Sequence, residues 1–310
     1  MKILVTGGAG FIGSHVADAC LAAGHEVWVL DDLSTGSRDN VPEQARFVHG
    51  DIRNRDLAEK IIADFLPDAI SHQAAQTSVA VSTREPVRDA EINIVGTLHI
   101  LNAAVKHGVK HVVFASTGGA IYGEVPDGQC ASLDWAPRPL SPYACSKFAI
   151  EGYLVAYQHA HELRSTVLRY ANVYGPRQDP HGEAGVVAIF SQRLLAGEAI
   201  QVNARKSEGD DGCVRDYVYV DDVVRANMMA LSNQLGSSMI NVCTGVGTST
   251  RQLAGVMKEL CGSRSDIRSA PRREGDVERS VLDVGADAPL GELVSLQAGL
   301  EKTVDWFRAR

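Results

Sequence analysis

Tyr143 and Lys147 are the residues whose types and spacing could do acid–base chemistry. They lie in the run Ser-Pro-Tyr-Ala-Cys-Ser-Lys that begins at Ser141. Residues four apart share one face of a helix, so the lysine ammonium would lie close to the tyrosine phenol. A tyrosine pKa of about 10 is too high for a base at neutral pH. We expect the cation, in a partly desolvated cleft, to lower this pKa and to make Tyr143 an acid–base group.

A glycine-rich turn near the start of the chain predicts a dinucleotide site. The apolar run Ile3-Leu4-Val5 is followed by Gly7, Gly10 and Gly13 and then by an amphipathic segment over 14–23, which predicts strand, turn and helix. Gly7 permits the tight turn, and Gly10 lets the backbone approach a pyrophosphate. Gly13 allows the helix to pack closely on the strand.

Two aspartates follow the second predicted strand, which covers residues 27–30. Asp31 comes eighteen residues after Gly13, where an acidic group would bind the ribose hydroxyls of adenosine. Asp31 and Asp32 together would repel a 2'-phosphate. We therefore expect NAD, while Arg38 nearby is the one feature that favours NADP.

Strand and helix patterns then alternate. Predicted strands at 46–49, 69–72, 112–115 and 165–170 are separated by predicted helices at 56–65 and about 87–107, which indicates a parallel sheet covered by helices on both faces. The loops after the third, fourth and fifth strands carry Asp51-Ile52, Gln73-Ala74-Ala75-Gln76 and Ser116-Thr117. They meet at the carboxyl edge, where doubly wound sheets bind ligands.

Composition excludes several other classes of function. The 310-residue chain has a net charge of -8, a pI near 5.7 and 45% hydrophobic residues. It therefore lacks the basic field that nucleic acids or anionic membranes would need. With no membrane-spanning run and no signal-peptide pattern, we expect a cytoplasmic protein. The six cysteines are scattered without metal-ligand spacing, so we expect them to be packing residues and expect no metal site.

Over nearly its whole length the chain resembles an extended short-chain dehydrogenase/reductase of the branch that acts on nucleotide sugars. The three glycines, Asp31, Asp51-Ile52, the run over 93–97 and the Tyr143/Lys147 pair stand in that family's order. The resemblance implies an α/β fold, a Rossmann-type doubly wound parallel sheet with a smaller α/β substrate-binding domain. We expect an NAD-binding domain at 1–170 with a returning strand near 239–243. A discontinuous nucleotide-sugar domain would occupy most of 171–310.

The resemblance also implies a tightly held NAD, with Lys147 on the nicotinamide ribose and Tyr143 as acid–base group at the sugar. The nicotinamide charge would further lower the pKa of the tyrosine. Two long helices, at about 87–107 and 143–163, would form a homodimer. The residues expected to contact NAD are Gly7, Gly10, Phe11, Ile12, Gly13, Asp31, Asp32, Asp51, Ile52, Gln73, Ala74, Ala75, Gln76, Asn93, Tyr143, Lys147 and Tyr170.

By the same resemblance, the second half of the chain binds a UDP-sugar. Asn172 would touch the diphosphate, Arg215 and Arg273 would grip phosphate, and Asp276 would bind the uridine ribose. Guanidinium forks fit paired phosphate oxygens, so a protein of charge -8 can still hold a dianion. The residue patterns alone leave open an Asx turn at Asn172 and solvated surface arginines at the other positions.

The positions before the Ile-Tyr-Gly run over 121–123 discriminate between reactions. Dehydratase-like members carry an Asp-Glu pair where this chain has Gly119 and Ala120, and decarboxylase-like members usually keep the Glu. Without a second acid there, the sequence favours 4-epimerisation through a 4-keto intermediate. A UDP-glucuronate 4-epimerase, a UDP-glucuronate decarboxylase and a non-catalytic NAD-binding regulator remain alternatives.

One position departs from the family pattern. Gly118 stands where a Ser or Thr usually bonds to the C4 oxygen, so we predict that Thr117 takes this role, with Ser116 as a further catalytic candidate. Ser280, four residues beyond Asp276, would border the sugar pocket, where a bulky aromatic excludes N-acetyl groups. We therefore expect both UDP-glucose/UDP-galactose and their N-acetylhexosamine forms as substrates.

Overall fold

The computed structural model describes residues 1–181, 185–273, 275–285 and 290–310. The chain divides into two compact units. The first unit comprises residues 1–117, 141–169 and 224–240, and the second comprises 118–140, 170–223 and 241–310.

The central sheet has seven strands in the order β10-β6-β5-β4-β1-β2-β3. The pairings of β1 with β2 and β4, of β2 with β3 and of β4 with β5 are parallel, which confirms the predicted fold class. All seven residues of β5 are buried, as is typical of a strand covered on both faces. The strands of this sheet are β1 (Lys2–Thr6), β2 (Glu26–Asp31), β3 (Arg46–His49), β4 (Ala69–His72), β5 (His111–Thr117), β6 (Arg164–Tyr170) and β10 (Met239–Val242).

Helices alternate with these strands, as the sequence pattern predicts. A 3-10 turn at Arg38–Asn40 follows β2. The helices in the segments of the first unit are α1 (Phe11–Ala22), α2 (Arg55–Phe65), α3 (Val79–Arg84), α4 (Pro86–Ala90), α5 (Thr97–Lys106) and α7 (Pro142–His161), and α9 (Val220–Leu231) continues into it. Large apolar side chains fill the space between helices and sheet, including the stacked rings of Trp28 and Phe65, whose centroids are 4.6 Å apart.

The predicted helix over about 87–107 is not uniform. Between α4 and α5 the chain forms a π-helical segment, Glu91–Gly96. Such a segment has wider turns than an α-helix and often occurs at functional sites. The Thr97 hydroxyl donates to the Asn93 carbonyl at 2.7 Å and so satisfies a group of the altered turn. Apolar periodicity alone did not predict this change.

The start of α7 is determined locally. The Ser141 side chain accepts a hydrogen bond from the Ala144 N–H at 3.2 Å, and Pro142 occupies the first helical position. Serine caps a free N–H group, and proline there loses no helical hydrogen bond. This cap places Tyr143 in the first turn and Lys147 one turn later.

The described residues of the second unit form two small sheets. One has the strand order β11-β9-β13, with β7 also paired to β9, and the other pairs β8 with β12 in parallel. Its strands are β7 (Asn172–Tyr174), β8 (Ile200–Asn203), β9 (Val214–Tyr219), β11 (Gly247–Ser249), β12 (Ile267–Ala270) and β13 (Arg279–Ser280). Its helices are α6 (Gly118–Ile121), α8 (Val186–Leu195), α10 (Thr250–Cys261) and α11 (Leu296–Arg308).

The cysteines differ in their exposure. Cys20, Cys213 and Cys243 are buried, but Cys130 and Cys145 are exposed, so the prediction that all cysteines are packing residues is wrong for these two.

Within the described ranges, no helix has the length and apolar character needed to cross a bilayer. The same ranges contain no group of three or more His, Cys, Asp and Glu side chains arranged to hold a metal ion.

Candidate active site

Tyr143, Thr117 and Lys147 lie together in the first unit. Thr117 is the last residue of β5, and its side chain is hydrogen-bonded to the Tyr143 hydroxyl. Lys147 is 3% exposed, and its Nζ lies 4.7 Å from the centroid of the Phe114 ring, also on β5. The carboxyl end of β5 and the first turn of α7 therefore bring the Thr117 hydroxyl and the Tyr143 phenol together, and Lys147, one helical turn further along α7, is buried against β5.

The electrostatics of this group differ from our expectation. Loss of solvation raises the pKa of Tyr143 to about 12, and the Asp89 charge adds to the rise, although the hydrogen bond from Thr117 opposes it. Desolvation likewise lowers the pKa of Lys147 to about 8. The low pKa expected for Tyr143 is therefore not found for the protein's own groups, because burial disfavours the charged phenolate.

Ser116 points to a different partner. Its hydroxyl donates to Glu151 Oε1 at 2.6 Å, and the Arg169 guanidinium grips the same carboxylate at 3.0 and 2.5 Å. Glu151 and Arg169 side chains are each 4% exposed, so this is a buried ion pair. Glu151 lies one helical turn after Lys147, and its charge raises the pKa of that lysine. The catalytic role of Ser116 stays a prediction, and helical spacing was the signal that could have identified Glu151.

The glycine turn leaves room for a ligand at one of its three positions. Gly7 has a φ of +68°, where a Cβ would also lie 2.6 Å from the Ala74 nitrogen. A Cβ on Gly13 would clash with the Gly7 backbone. At Gly10 a Cβ would meet only the Gly7 oxygen, at 3.2 Å. Gly7 and Gly13 are thus needed for the turn and its packing, whereas Gly10 presents open backbone, as a pyrophosphate site requires.

The two acidic residues at the end of β2 are held by local hydrogen bonds. Asp31 is 8% exposed and accepts from the backbone N–H groups of Ala9 at 2.9 Å and Leu33 at 2.8 Å. Desolvation raises its pKa, although these hydrogen bonds oppose the rise. Asp32 accepts from the N–H and hydroxyl of Ser34 at 2.9 and 2.6 Å. The hydrogen bond to Ala9 ties Asp31 to the glycine turn, in the place expected for a ribose ligand.

The remaining residues predicted to contact NAD have varied surroundings. Asp51 forms an ion pair with Arg53 at 2.6 Å, and Ile52 is buried. Gln73 donates to Ser71 and Asn227, each at 3.0 Å.

Tyr170 is buried and belongs to the second unit, whereas Phe11 and Ile12 are the first residues of α1 and are half-buried. Ala74 donates its N–H to the Thr6 hydroxyl at 3.3 Å, and Ala75 directly follows it.

Gln76 and Asn93 are brought together by reciprocal hydrogen bonds. The Gln76 N–H donates to Asn93 Oδ1, and the Asn93 amide donates to the Gln76 carbonyl, each at 2.9 Å. The Asn93 amide also lies 3.1 Å from the Ser146 hydroxyl and 3.0 Å from the Asp89 carboxylate. Asp89 was not selected from the sequence, although it lies four residues before Asn93, a spacing that could have identified it.

The second unit places several predicted substrate ligands on one sheet. Ser280 on β13 pairs with Arg215 on β9, and Asn172 on β7 pairs with Tyr217 of the same β9. Ser280 is 2% exposed, and Arg215 donates to the Val214 carbonyl at 3.0 Å. Asn172 donates to the Asp216 carbonyl at 3.3 Å, so a tertiary contact, not an Asx turn, orients its side chain.

Arg273 and Asp276 lie in a turn beyond β12. The Asp276 N–H approaches the Arg273 carbonyl at 3.4 Å; Arg273 is exposed, whereas Asp276 is half-buried. The neighbouring Arg272 forms an ion pair with Glu278 at 2.8 Å. Glu274, which follows Arg273 in the sequence, lies outside the described residues.

The comparison with known proteins identifies relatives along the whole chain. Residues 3–243 match the model of the NAD dependent epimerase/dehydratase family. The UDP-glucose 4-epimerase of Mycolicibacterium smegmatis is 45% identical over 316 aligned residues, which cover 99% of each chain. The predicted resemblance to the nucleotide-sugar branch of extended short-chain dehydrogenases/reductases is confirmed.

Two solved structures are also closely similar. The UDP-glucose 4-epimerase of Thermus thermophilus, in complex with NAD, has a TM-score of 0.94 and 50% identity, with 99% of each chain covered. The UDP-glucose 4-epimerase of Thermotoga maritima, with UDP-glucose, has a TM-score of 0.93 and 47% identity, covering 100% of this chain and 99% of that one. Since the family model matches residues 3–243, the chain belongs to the NAD dependent epimerase/dehydratase family.

Proposed function

We propose that this protein is a UDP-glucose 4-epimerase that uses NAD to interconvert UDP-hexoses through a 4-keto intermediate. The observation that carries the proposal is the hydrogen bond between Thr117 and the Tyr143 hydroxyl, beside the buried Lys147. It supplies the hydroxyl that Gly118 lacks. The 4-epimerase names of relatives at 45–50% identity support the same reaction.

The first unit has the features that an NAD site needs. The open backbone at Gly10 suits a pyrophosphate, and Asp31 keeps a carboxylate beside the glycine turn for ribose hydroxyls. Lys147 would bind the nicotinamide ribose. When bound, NAD would supply the acceptor and then the donor for the hydride at C4 of the hexose, together with a positive nicotinamide that would favour the Tyr143 phenolate.

The protein's own groups would handle the proton. Tyr143 Oη takes the proton of the C4 hydroxyl and later returns it, and Thr117 Oγ1 orients both the phenol and the C4 oxygen. Lys147 remains protonated at neutral pH, since its pKa of about 8 lies above 7, and its charge favours the phenolate. The hexose turns over between the two halves of the cycle, so its configuration at C4 inverts.

Dehydration and decarboxylation remain less favoured because Gly119 and Ala120 provide no acid. Neither backbone strain nor crowding demands glycine at 119, since a Cβ there would lie 3.6 Å from Asn172 Nδ2, an ordinary contact. The chain could hold a side chain at this position and has none. A UDP-glucuronate 4-epimerase is the second candidate, since the extra carboxylate would need only one more well-placed cation or hydroxyl beyond the phosphate ligands.

The substrate ligands proposed for the second unit are Asn172 and Arg215 on the sheet, Arg273 and Asp276 in the turn beyond β12, and Ser280 at the sugar. We propose that the small Ser280 side chain admits N-acetyl groups. Ser280→Tyr should then abolish turnover of UDP-N-acetylgalactosamine while UDP-galactose is still converted. Equal turnover of both sugars by this variant would contradict the pocket assignment, and Ser280→Ala is the size-matched control.

The direct test of function is to incubate the purified protein with UDP-galactose, UDP-N-acetylgalactosamine or UDP-glucuronate and to follow the anomeric protons by NMR. We expect the C4 epimer of the first two sugars without added cofactor, since NAD should stay bound. Conversion of UDP-glucuronate alone would favour the second candidate. No conversion of any sugar after NAD is added would overturn the proposal.

We also propose a homodimer formed by the helical region over 86–106 and by α7. Large apolar side chains are exposed on both, namely Val87, Val95, Phe148, Tyr153 and Val155, with exposed fractions of 70, 44, 38, 43 and 69%. Light scattering should therefore give twice the chain mass of 33.2 kDa. A measured mass equal to that of one chain would contradict the proposed dimer. A cytoplasmic location and a part in galactose metabolism belong to the same proposal, and cell fractionation tests the location.

A further inference from the structure

A buried carboxylate that the proposed reaction does not use lies close to the acid–base pair. Asp89 on α4 is 1% exposed. Its Oδ1 accepts hydrogen bonds from the side-chain amides of Gln76 at 2.8 Å and Asn93 at 3.0 Å. Both donors are neutral, so these contacts leave the negative charge of the carboxylate uncompensated. Burying such a charge is unfavourable unless a cation is near.

The amides that Asp89 holds connect to the catalytic helix. The Asn93 amide reaches the Ser146 hydroxyl at 3.1 Å, and that hydroxyl donates to the Tyr143 carbonyl at 2.9 Å. Asn93 itself lies in the π-helical segment, four residues after Asp89. Asp89, Asn93 and Ser146 thus form a continuous buried chain that ends at the backbone of the acid–base residue.

Lys147 faces charged or titratable groups from three elements. Asp89 lies on α4, Tyr143 and Glu151 lie on α7 with it, and His72 lies on β4. Glu151 is already paired with the Arg169 guanidinium from β6. His72 is neutral, because burial lowers its pKa to about 3. Of the two carboxylates whose charges act on Lys147, Glu151 is paired with a guanidinium, whereas the hydrogen bonds given above for Asp89 come from neutral side chains.

We propose that Asp89 is a positioning residue for the reaction: its Oδ1 holds the Gln76 and Asn93 side chains, and its charge faces the Lys147 ammonium. This inference rests on the proposed function. The Asp89 charge raises the pKa of Lys147 against desolvation and also raises the pKa of Tyr143. Removing the charge should therefore lower both pKa values together.

Asp89→Asn separates the charge from the hydrogen bonds. Asparagine keeps an Oδ1 acceptor for both amides and removes only the charge. The pH profile of kcat should keep its bell shape, and both limbs should move to lower pH by about half a unit or more. Glu85→Gln is the matched control. It removes one negative charge four residues away, from a side chain that is 48% exposed and screened by water, and should leave the profile in place.

Asp89→Ala tests the positioning part. It removes the acceptor as well as the charge, so kcat should fall further than in Asp89→Asn, by about tenfold. Equal kcat values for the two variants would overturn the positioning role. If the two limbs of the kcat pH profile stay in place in Asp89→Asn, or move to higher pH, the electrostatic role of Asp89 is overturned.

A titration of Lys147 decides the inference even if no hexose is turned over. Protein labelled with 13C at lysine Cε is titrated by NMR, and the Lys147 signal is assigned with Lys147→Arg. We expect a Lys147 pKa near 8 in the unmodified protein and a lower value in Asp89→Asn. A Lys147 pKa below 7 in the unmodified protein, or no change in the variant, would overturn the inference. Because this readout needs no activity, its failure is distinct from failure of the epimerase proposal.

Discussion

Lys147 in the first unit is a predicted NAD ligand, and Arg272 in the second unit is next to the predicted phosphate ligand Arg273. The surroundings of these two cations differ. Lys147 is 3% exposed and is influenced by two buried carboxylates. Arg272 has a side chain that is 44% exposed and pairs with Glu278, whose side chain is 23% exposed. Water screens the second interaction and leaves the first strong. In the first unit, burial thus shifts the pKa of Lys147. In the second unit, the ion pair of Arg272 remains partly exposed to water.

The largest effect should come from the buried phenol. Tyr143→Phe removes the proton acceptor and keeps the ring, so kcat should fall by about 10²- to 10⁴-fold. Steady-state epimerisation of UDP-galactose measures it, and circular dichroism checks the fold. Turnover within a few-fold of the unmodified protein would show that Tyr143 does not carry the proton.

A smaller effect is expected in the turn beyond β12. Arg273→Ala should weaken UDP binding by about 10- to 100-fold, the loss typical of a charged hydrogen bond, with little change in kcat. Calorimetry with UDP measures this affinity. Arg272→Ala, next in the chain, removes only a partly exposed ion pair and should change it little. The same loss in both variants would mean that general charge, and not a contact of Arg273, holds the ligand.

The hydroxyl beside Tyr143 should have a more modest role. Thr117→Val preserves shape but removes the hydrogen bond to the phenol, and kcat should fall at least about tenfold. Thr117→Ser keeps the hydroxyl and should retain most of the activity. Unchanged turnover by the valine variant would sink the assignment of Thr117.

The smallest predicted effect concerns stability. Burial holds the pKa of His72 at about 3, below the value of about 6.5 for an unfolded chain. The unfolded chain binds the extra proton as pH falls, so the stabilisation is present above pH 6.5 and declines toward pH 3. Between pH 6.5 and 5.5 this histidine should cost about 1 kcal/mol of unfolding free energy. Urea unfolding at several pH values measures the slope, which His72→Asn should reduce and the exposed His159→Asn should not.

Much of the first unit could be predicted from local sequence. The glycine turn depends on three residues with local backbone roles, and α7 begins at its own Ser141 cap and Pro142. The strands are short apolar runs whose alternation with helices indicates a parallel sheet. Thr117 was selected as the nearest hydroxyl to Gly118, and the structure does place it against Tyr143.

What could not be predicted depends on tertiary contacts. The π-helical segment and the burial of Asp89 arise where α4 and α7 meet, and no local pattern shows this. The Glu151–Arg169 ion pair joins a helix to a strand, and its carboxylate accepts a hydrogen bond from the Ser116 hydroxyl. The raised pKa of Tyr143 follows from desolvation, which sequence spacing does not measure. In the second unit, family order identified Arg215 and Ser280, and only the structure pairs them on neighbouring strands.

The most direct test of the proposed reaction uses UDP-galactose labelled with deuterium at C4. The hydrogen removed from C4 is returned to the same carbon after the sugar turns over, and the proton on Tyr143 exchanges only with the hydroxyl. We therefore predict that mass spectrometry and NMR will find UDP-glucose that keeps its deuterium at C4. Loss of the label to water, or a product other than the C4 epimer, would contradict the proposed function.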